Sequence, residues 1–122
     1  MKPITTKLVG VTFGDRQENI RKFGCEAIGS YAMVREPENP HDPNAIRVAV
    51  GKFTMGYVPS KLAMELAPLM DAGMNLMAFF VKLNVPLYDG PVGLTLEIRE
   101  VPAMDQPDQR DQEIPEMGVL PF

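Results

Sequence analysis

The chain has 122 residues, 45% of them hydrophobic and 23% charged, which suffices for one compact domain with its own core and is too little for two ordinary ones. Twelve Lys and Arg against sixteen Asp and Glu leave a net charge of -4, which argues against a uniformly polybasic nucleic-acid glove. The charge is uneven. Residues 102 to 122 hold five acids (Asp105, Asp108, Asp111, Glu113, Glu116) and one base, Arg110, so residues 1 to 101 balance eleven bases with eleven acids. One cysteine, Cys25, cannot close an intramolecular disulfide, and with one histidine, His41, no zinc site can be built from thiolate and imidazole alone. No metal or other cofactor is expected. The longest apolar run, Leu76 to Val81, is too short to span a bilayer, and Met1 to Leu8 lacks a signal-like apolar stretch. The expected setting is cytoplasmic, with no membrane partner.

Ile4 to Val11 is β-rich and ends in glycine turn signals at Gly10 and Gly14, which predicts a first strand. Asp15 to Lys22 is polar and reads as a loop or one helical turn. Ala27 to Val34 predicts a second strand. Glu36 to Asn44 (EPENPHDPN) carries three prolines, two asparagines and an aspartate, a composition no helix or central strand tolerates, so a shaped loop is expected. Ala45 to Val50 and Thr54 to Val58 flank Gly51-Lys52 as a hairpin. The period then changes: Leu62, Leu66, Leu69 and Met70 fall at helical spacing behind Ser60 as N-cap, Gly73 is the stop, and Pro68 should kink or divide the helix. Leu76 to Val85 and Gly93 to Val101 predict two final strands joined by Pro86 to Pro91. The fold class expected is mainly β (α+β): a small OB-like β-barrel of about six strands with one or two short helices.

Arg35 to Val48 (REPENPHDPNAIRV), Gly56-Tyr57-Val58-Pro59 with the helix after it, and the opening Val9-Gly10-Val11-Thr12-Phe13 together resemble the HIRAN domain, over roughly residues 6 to 101. Four pieces of the signature occur in the family's order and spacing. The resemblance implies an OB-like barrel of the kind carried by remodelling helicases and found alone in bacteria and phages. It further implies capture of the free 3′-hydroxyl end of single-stranded DNA, in DNA repair or replication. Carried over residue by residue, Asp42 matches the carboxylate that accepts a hydrogen bond from the terminal 3′-hydroxyl, and His41 matches an aromatic against the terminal nucleotide. Phe13 lies where another aromatic contributes, and Tyr88 matches a later stacking ring. With the loop from Asn39 to Asp42, the ring platforms Phe13, Tyr57 and Tyr88, and Lys61 for a phosphate, these form the expected DNA-binding set.

The chemistry of those roles stands without the family. A free 3′-hydroxyl has a proton to give a carboxylate, whereas a mid-strand 3′-oxygen is esterified and has none, so one acid distinguishes an end from a middle. Rings stack with bases at about 1 to 3 kcal/mol each without selecting among them. The sequence departs from the family where basic side chains near Thr12 and Ser60 would sit, since both are neutral, although Lys61, Arg16, Arg21 and Lys22 are at hand for phosphates. Weak binding with a shallow salt dependence, a slope near -0.7 per contacted phosphate, is therefore expected.

Blander roles compete with these. Asn39, Asp42 and Asn44 are residues that bond backbone amides of their own loop, and Arg35 and Glu36 suit bracing it. Phe13 and Tyr57 are also candidates for buried barrel residues, one of Phe79 and Phe80 should be a core ring, and Met64, Met70, Met74 and Met77 suit gap-filling core. No catalytic residue is assigned, because His41-Asp42 lacks the further histidines of a phosphohydrolase, Cys25-His41 lacks an orienting third group, and no phosphate-loop motif is present.

Two units are expected: a barrel domain over 1–101 and an acidic Pro/Gln-rich tail over 102–122. The end of the tail, Val119-Leu120-Pro121-Phe122, resembles the tip of bacterial single-stranded DNA-binding proteins, which implies docking on a replication or repair protein. The rival functional expectation is a non-catalytic protein-interaction or oligomerisation module that has lost DNA affinity, with an exposed edge near Leu76 to Val85 as the place for a homo-oligomer.

Overall fold

In the computed structural model, residues 1–102 are described. Six strands, β1 (Ile4–Lys7), β2 (Ser30–Arg35), β3 (Ile46–Val50), β4 (Phe53–Tyr57), β5 (Leu76–Asn84) and β6 (Gly93–Glu100), form one antiparallel sheet in the order β1-β6-β5-β2-β3-β4. Two helices, α1 (Arg16–Phe23) and α2 (Ser60–Asp71), complete a mainly β fold. The sheet curls back on itself. Just past β1, Val9 pairs with Tyr57 at the end of β4 through two backbone hydrogen bonds of 2.9 Å, N–H to carbonyl in each direction. Gly56 permits this approach, because a Cβ there would stand 2.9 Å from the Val9 carbonyl oxygen.

The alternation in β6 places Leu94, Leu96 and Ile98 inside, where they meet Ile20, Tyr31, Ile46, Met55, Leu66 and Leu76. Tyr31 is buried with its hydroxyl donating to the Phe23 carbonyl at 2.7 Å, and burial pushes its pKa up to about 12. Phe80 is the ring packed against the core, while Phe79 carries the Arg99 guanidinium 4.1 Å from its centroid. Met70, Met74 and Met77 pack on or in the core, but Met64 is exposed on α2.

Several local expectations change. The first strand stops at Lys7, because Gly10 takes a φ of +64° and turns the chain, leaving Val9 as a single bridge. The polar segment after Gly14 is a full helix of eight residues, anchored by Ile20 in the core and by two amides. Gln17 Nε2 donates to the Val11 and Val92 carbonyls while its Oε1 accepts from Val92 N–H, and Asn19 Nδ2 donates to the Thr54 carbonyl. The second strand starts at Ser30, after a turn in which Ile28 and Gly29 N–H both donate to the Cys25 carbonyl.

Ser60 is the first helical residue and Pro59 the N-cap, with no side-chain cap bond; Pro68 does not divide the helix. Gly73 does terminate it. With φ at +109° its N–H reaches the Met70 carbonyl and the Met74 N–H reaches that of Leu69, the paired bonds of a Schellman motif. β5 lies between β6 and β2, so the edge expected at Leu76 to Val85 is an interior strand over most of its length; the sheet edges are β1 and β4. The expected tail lies, from residue 103 on, outside the described residues. Among those residues, no helix is long and apolar enough to cross a membrane and no group of three or more His, Cys, Asp or Glu could hold a metal.

Candidate nucleic-acid interface

The Pro-rich segment is a loop locked by its own polar side chains. Asn39 Oδ1 accepts from the His41 and Asp42 N–H groups at 2.8 and 3.2 Å, and Asp42 Oδ1 accepts from Asn44 N–H at 2.8 Å. The loop mouth is closed by Glu36 N–H donating to the Ala45 carbonyl. Arg35 fixes it to α2, pairing Nε and Nη2 with the two Asp71 oxygens at 2.9 and 3.0 Å and giving Nη1 to the Ala45 carbonyl.

Glu36 is the hub behind the loop. Its carboxylate accepts from Asn39 Nδ2 at 3.0 Å, Tyr57 OH at 2.9 Å and Arg47 Nε at 2.9 Å. Burial pushes its pKa up, but the hydrogen bonds from Asn39, Tyr57 and Arg47 outweigh it and hold the carboxyl below its ordinary value. The phenol of Tyr57 is shifted the other way, first by burial and then by the Glu36 carboxylate, and so stays a donor. Arg35 and Glu36 therefore brace the loop.

In front of this hub lies a cavity of about 410 Å³ lined by Val9, Phe13, Arg16, Asn39, His41, Asp42, Ala45, Tyr57, Val58 and Ser60. Five of the seven expected site residues meet there: Phe13, Asn39, His41, Asp42 and Tyr57. Phe13 is 65% exposed, which rules out the buried-core role for it, whereas Tyr57 is half-buried. Asn39 spends its side chain on the loop. Asp42 keeps Oδ2 without a hydrogen bond among the described residues, so one carboxylate oxygen remains to accept a donor. The other two residues do not line the cavity. Lys61 follows Ser60 onto the exposed face of α2, and Tyr88 stands 86% exposed in the connection between β5 and β6.

Arg16 is the component the sequence pattern undervalued. Its guanidinium lies 5.0 Å from the Tyr57 ring centroid and 5.5 Å from that of Phe13, with Nη1 donating to the Gly10 carbonyl at 2.7 Å. The signal that could have found it is the glycine pair Gly10 and Gly14, whose positive φ values fold residues 11 to 13 back over the first turn of α1. The cavity thus combines two rings, a fixed cation, an imidazole and an available carboxylate oxygen, a set suited to a small anionic ligand with a planar face and a hydroxyl.

The HIRAN domain family matches residues 8–96. Two curated plant relatives, each a Fanconi-associated nuclease 1 homolog, are 39% identical over 69 residues in Arabidopsis thaliana and 36% identical over 72 residues in Oryza sativa subsp. japonica. In each the match takes 56% of this chain and only 7% of the relative. Among solved structures, a protein from Lactobacillus plantarum superimposes with a TM-score of 0.63, covering 81% of this chain and 95% of that one at 22% identity. The HIRAN domain of human HLTF gives a TM-score of 0.56, covering 80% and 74% at 22% identity. At that identity the two structures support the fold alone, but the family match covers well over half of the sequence, and the chain belongs to the HIRAN domain family.

Proposed function

We propose that this chain is a DNA-binding module that takes the free 3′ end of single-stranded DNA into the cavity in front of Glu36. The single observation that carries this reading is the gathering of Asp42, with Oδ2 available, beside His41 and opposite the Phe13, Arg16 and Tyr57 stack. A terminal 3′-hydroxyl donates to the Asp42 carboxylate, where a 3′-phosphate would meet like charge. The terminal base stacks on Phe13, and the Arg16 guanidinium faces the adjoining phosphate. Family membership and the nuclease names of the plant relatives support a role beside DNA, and this module would present a strand end rather than cut it.

Fluorescence anisotropy at low salt tests the reading with three labelled substrates: a free 3′-hydroxyl strand, the same strand with a 3′-phosphate, and a sealed circle. Wild type should prefer the free hydroxyl. Asp42→Ala should erase the preference, and Asp42→Asn, which retains a carbonyl for the Asn44 turn, should lose the discrimination against phosphate. Equal binding to all three substrates, or none, refutes end capture.

A second reading, a protein-interaction or self-association module, draws on the connection between β5 and β6, where Val85, Leu87 and Tyr88 are exposed side by side in sequence. Sedimentation velocity on wild type and Leu87→Ser decides the self-association arm: a monomer in both removes it, and an oligomer lost in the variant supports it.

A further inference from the structure

Next to the Asp42 cavity lies a second one of about 500 Å³, lined by Phe13, Gly14, Asp15, Arg16, Asn19, Lys52, Phe53 and Thr54. The two cavities share Phe13 and Arg16 as a common wall. We infer that this second cavity is the subsite for the nucleotides next to the captured end, with the β3–β4 hairpin tip, Lys52 and Phe53, as its outer wall. The inference rests on the end-capture reading above and names where the strand goes from there.

The chemistry of the tip matches that of the first cavity. Phe53 is 37% exposed, and its ring is held from behind by Phe23, with centroids 5.1 Å apart. A partly exposed ring braced by a second ring is suited to stacking. Lys52 places its ammonium 5.5 Å from the Phe53 centroid and forms no ion pair among the described residues. Each cavity therefore pairs rings with a cation: Tyr57 and Phe13 with Arg16 at the first, Phe53 with Lys52 at the second. A single strand offers the matching pair at every nucleotide, a base for a ring and a phosphate for a cation. Asp15 is the one carboxylate on the second cavity, against two cations, Arg16 and Lys52.

The floor is built rather than incidental. Asn19 Nδ2 donates to the Thr54 carbonyl and Arg47 Nη1 donates to Thr54 Oγ1, so the hairpin is tied both to α1 and, through Arg47, to the Glu36 hub behind the first cavity. A strand whose 3′ end lies at Asp42 and whose next phosphate faces Arg16 reaches this floor by continuing 5′-ward over Phe13.

The test is competition by unlabelled oligothymidylates of two, four and six nucleotides with free 3′-hydroxyls against a labelled hexamer. It uses the full chain as wild type, Lys52→Ala, Phe53→Leu and Asp42→Ala, with thermal melts to check folding. Leu at 53 keeps apolar packing on Phe23. Wild type should gain roughly tenfold in affinity between two and four nucleotides. Lys52→Ala and Phe53→Leu should each lose about three- to tenfold of that gain, and Lys52→Ala should lower the salt slope by about 0.7. If the dinucleotide binds in an Asp42-dependent way but the length gain is missing, or survives both tip variants, this subsite is overturned and end capture stands. Dinucleotide binding that is absent or indifferent to Asp42→Ala overturns both.

Discussion

Removing the Glu36 carboxylate should cost more than any other single substitution behind the cavity. Three donors converge on it, Asn39 Nδ2, Tyr57 OH and Arg47 Nε, at 3.0, 2.9 and 2.9 Å, and its side chain is 26% exposed. The two neutral donors are worth about 1 kcal/mol each. The charge-assisted bond from Arg47 is worth about 1 kcal/mol once discounted for partial solvent screening. The bonds share one acceptor group and are not additive, so Glu36→Ala should destabilise by about 2 to 3 kcal/mol and lower the melting temperature by about 10 to 20 °C.

Glu36→Gln separates the parts. Its carbonyl oxygen can keep Asn39 and Tyr57 while its amide faces Arg47, donor against donor, so the expected loss is about 1 kcal/mol. Urea unfolding followed by far-UV circular dichroism reads both values, and the anisotropy assay should show 3′-end affinity falling with them as the loop from Asn39 to Asp42 and the Tyr57 ring lose their common anchor. A Glu36→Ala variant within about 0.5 kcal/mol of wild type, or a Gln variant as costly as Ala, would show that the hub is not what holds the loop.

Four further outcomes are expected. Glu36 has a folded pKa below its unfolded one, so protonation favours the unfolded chain. Its contribution is complete above the ordinary value of 4.5 and is lost as pH falls through the depressed folded value, and stability measured from pH 6 to 3 should flatten in Glu36→Gln. Gln17→Ala leaves the Val11 and Val92 carbonyls and the Val92 N–H without their partner, and denaturation should show a loss of about 2 to 3 kcal/mol. Gly56→Ala drives a methyl against the Val9 carbonyl oxygen, 2.9 Å away, and should cost about 1 to 3 kcal/mol with faster hydrogen exchange at Val9 and Tyr57. Deleting residues 103 to 122 should leave the melting temperature near that of the full chain; a large fall would mean that the acidic segment belongs to the folded unit, and unchanged partner binding would end the idea that it recruits a replication or repair protein.

What local sequence determined is whatever rests on local chemistry. Three prolines among asparagines and an aspartate allow only a shaped loop between Glu36 and Asn44, and the Asx bonds of Asn39 and Asp42 are the ones those residues make in any such loop. Strict alternation fixed the inward face of β6, and Gly73 fixed the end of α2 because only glycine takes φ of +109° freely. The motif residues Phe13, His41, Asp42 and Tyr57 were legible as a set. Their meeting in one cavity was an expectation from resemblance, not from pattern.

Tertiary structure decided the rest, and the reasons are non-local. The helix α1 buries only Ile20 among its apolar residues, too little for a periodic signal; it is held by amide bonds to Val11, Thr54 and Val92, partners up to 75 residues away. Arg16 lines the cavity only because α1 is a helix and Gly10 turns the chain so that its carbonyl meets the guanidinium. Tyr88 does not line the cavity because it stands exposed in the β5–β6 connection, a placement that no spacing in sequence encodes. β5 became interior by pairing with β2 and β6 at once, a choice of neighbours that depends on sheet order. Local pattern sets which segments are strands, but burial of all their inner faces together sets how they are arranged.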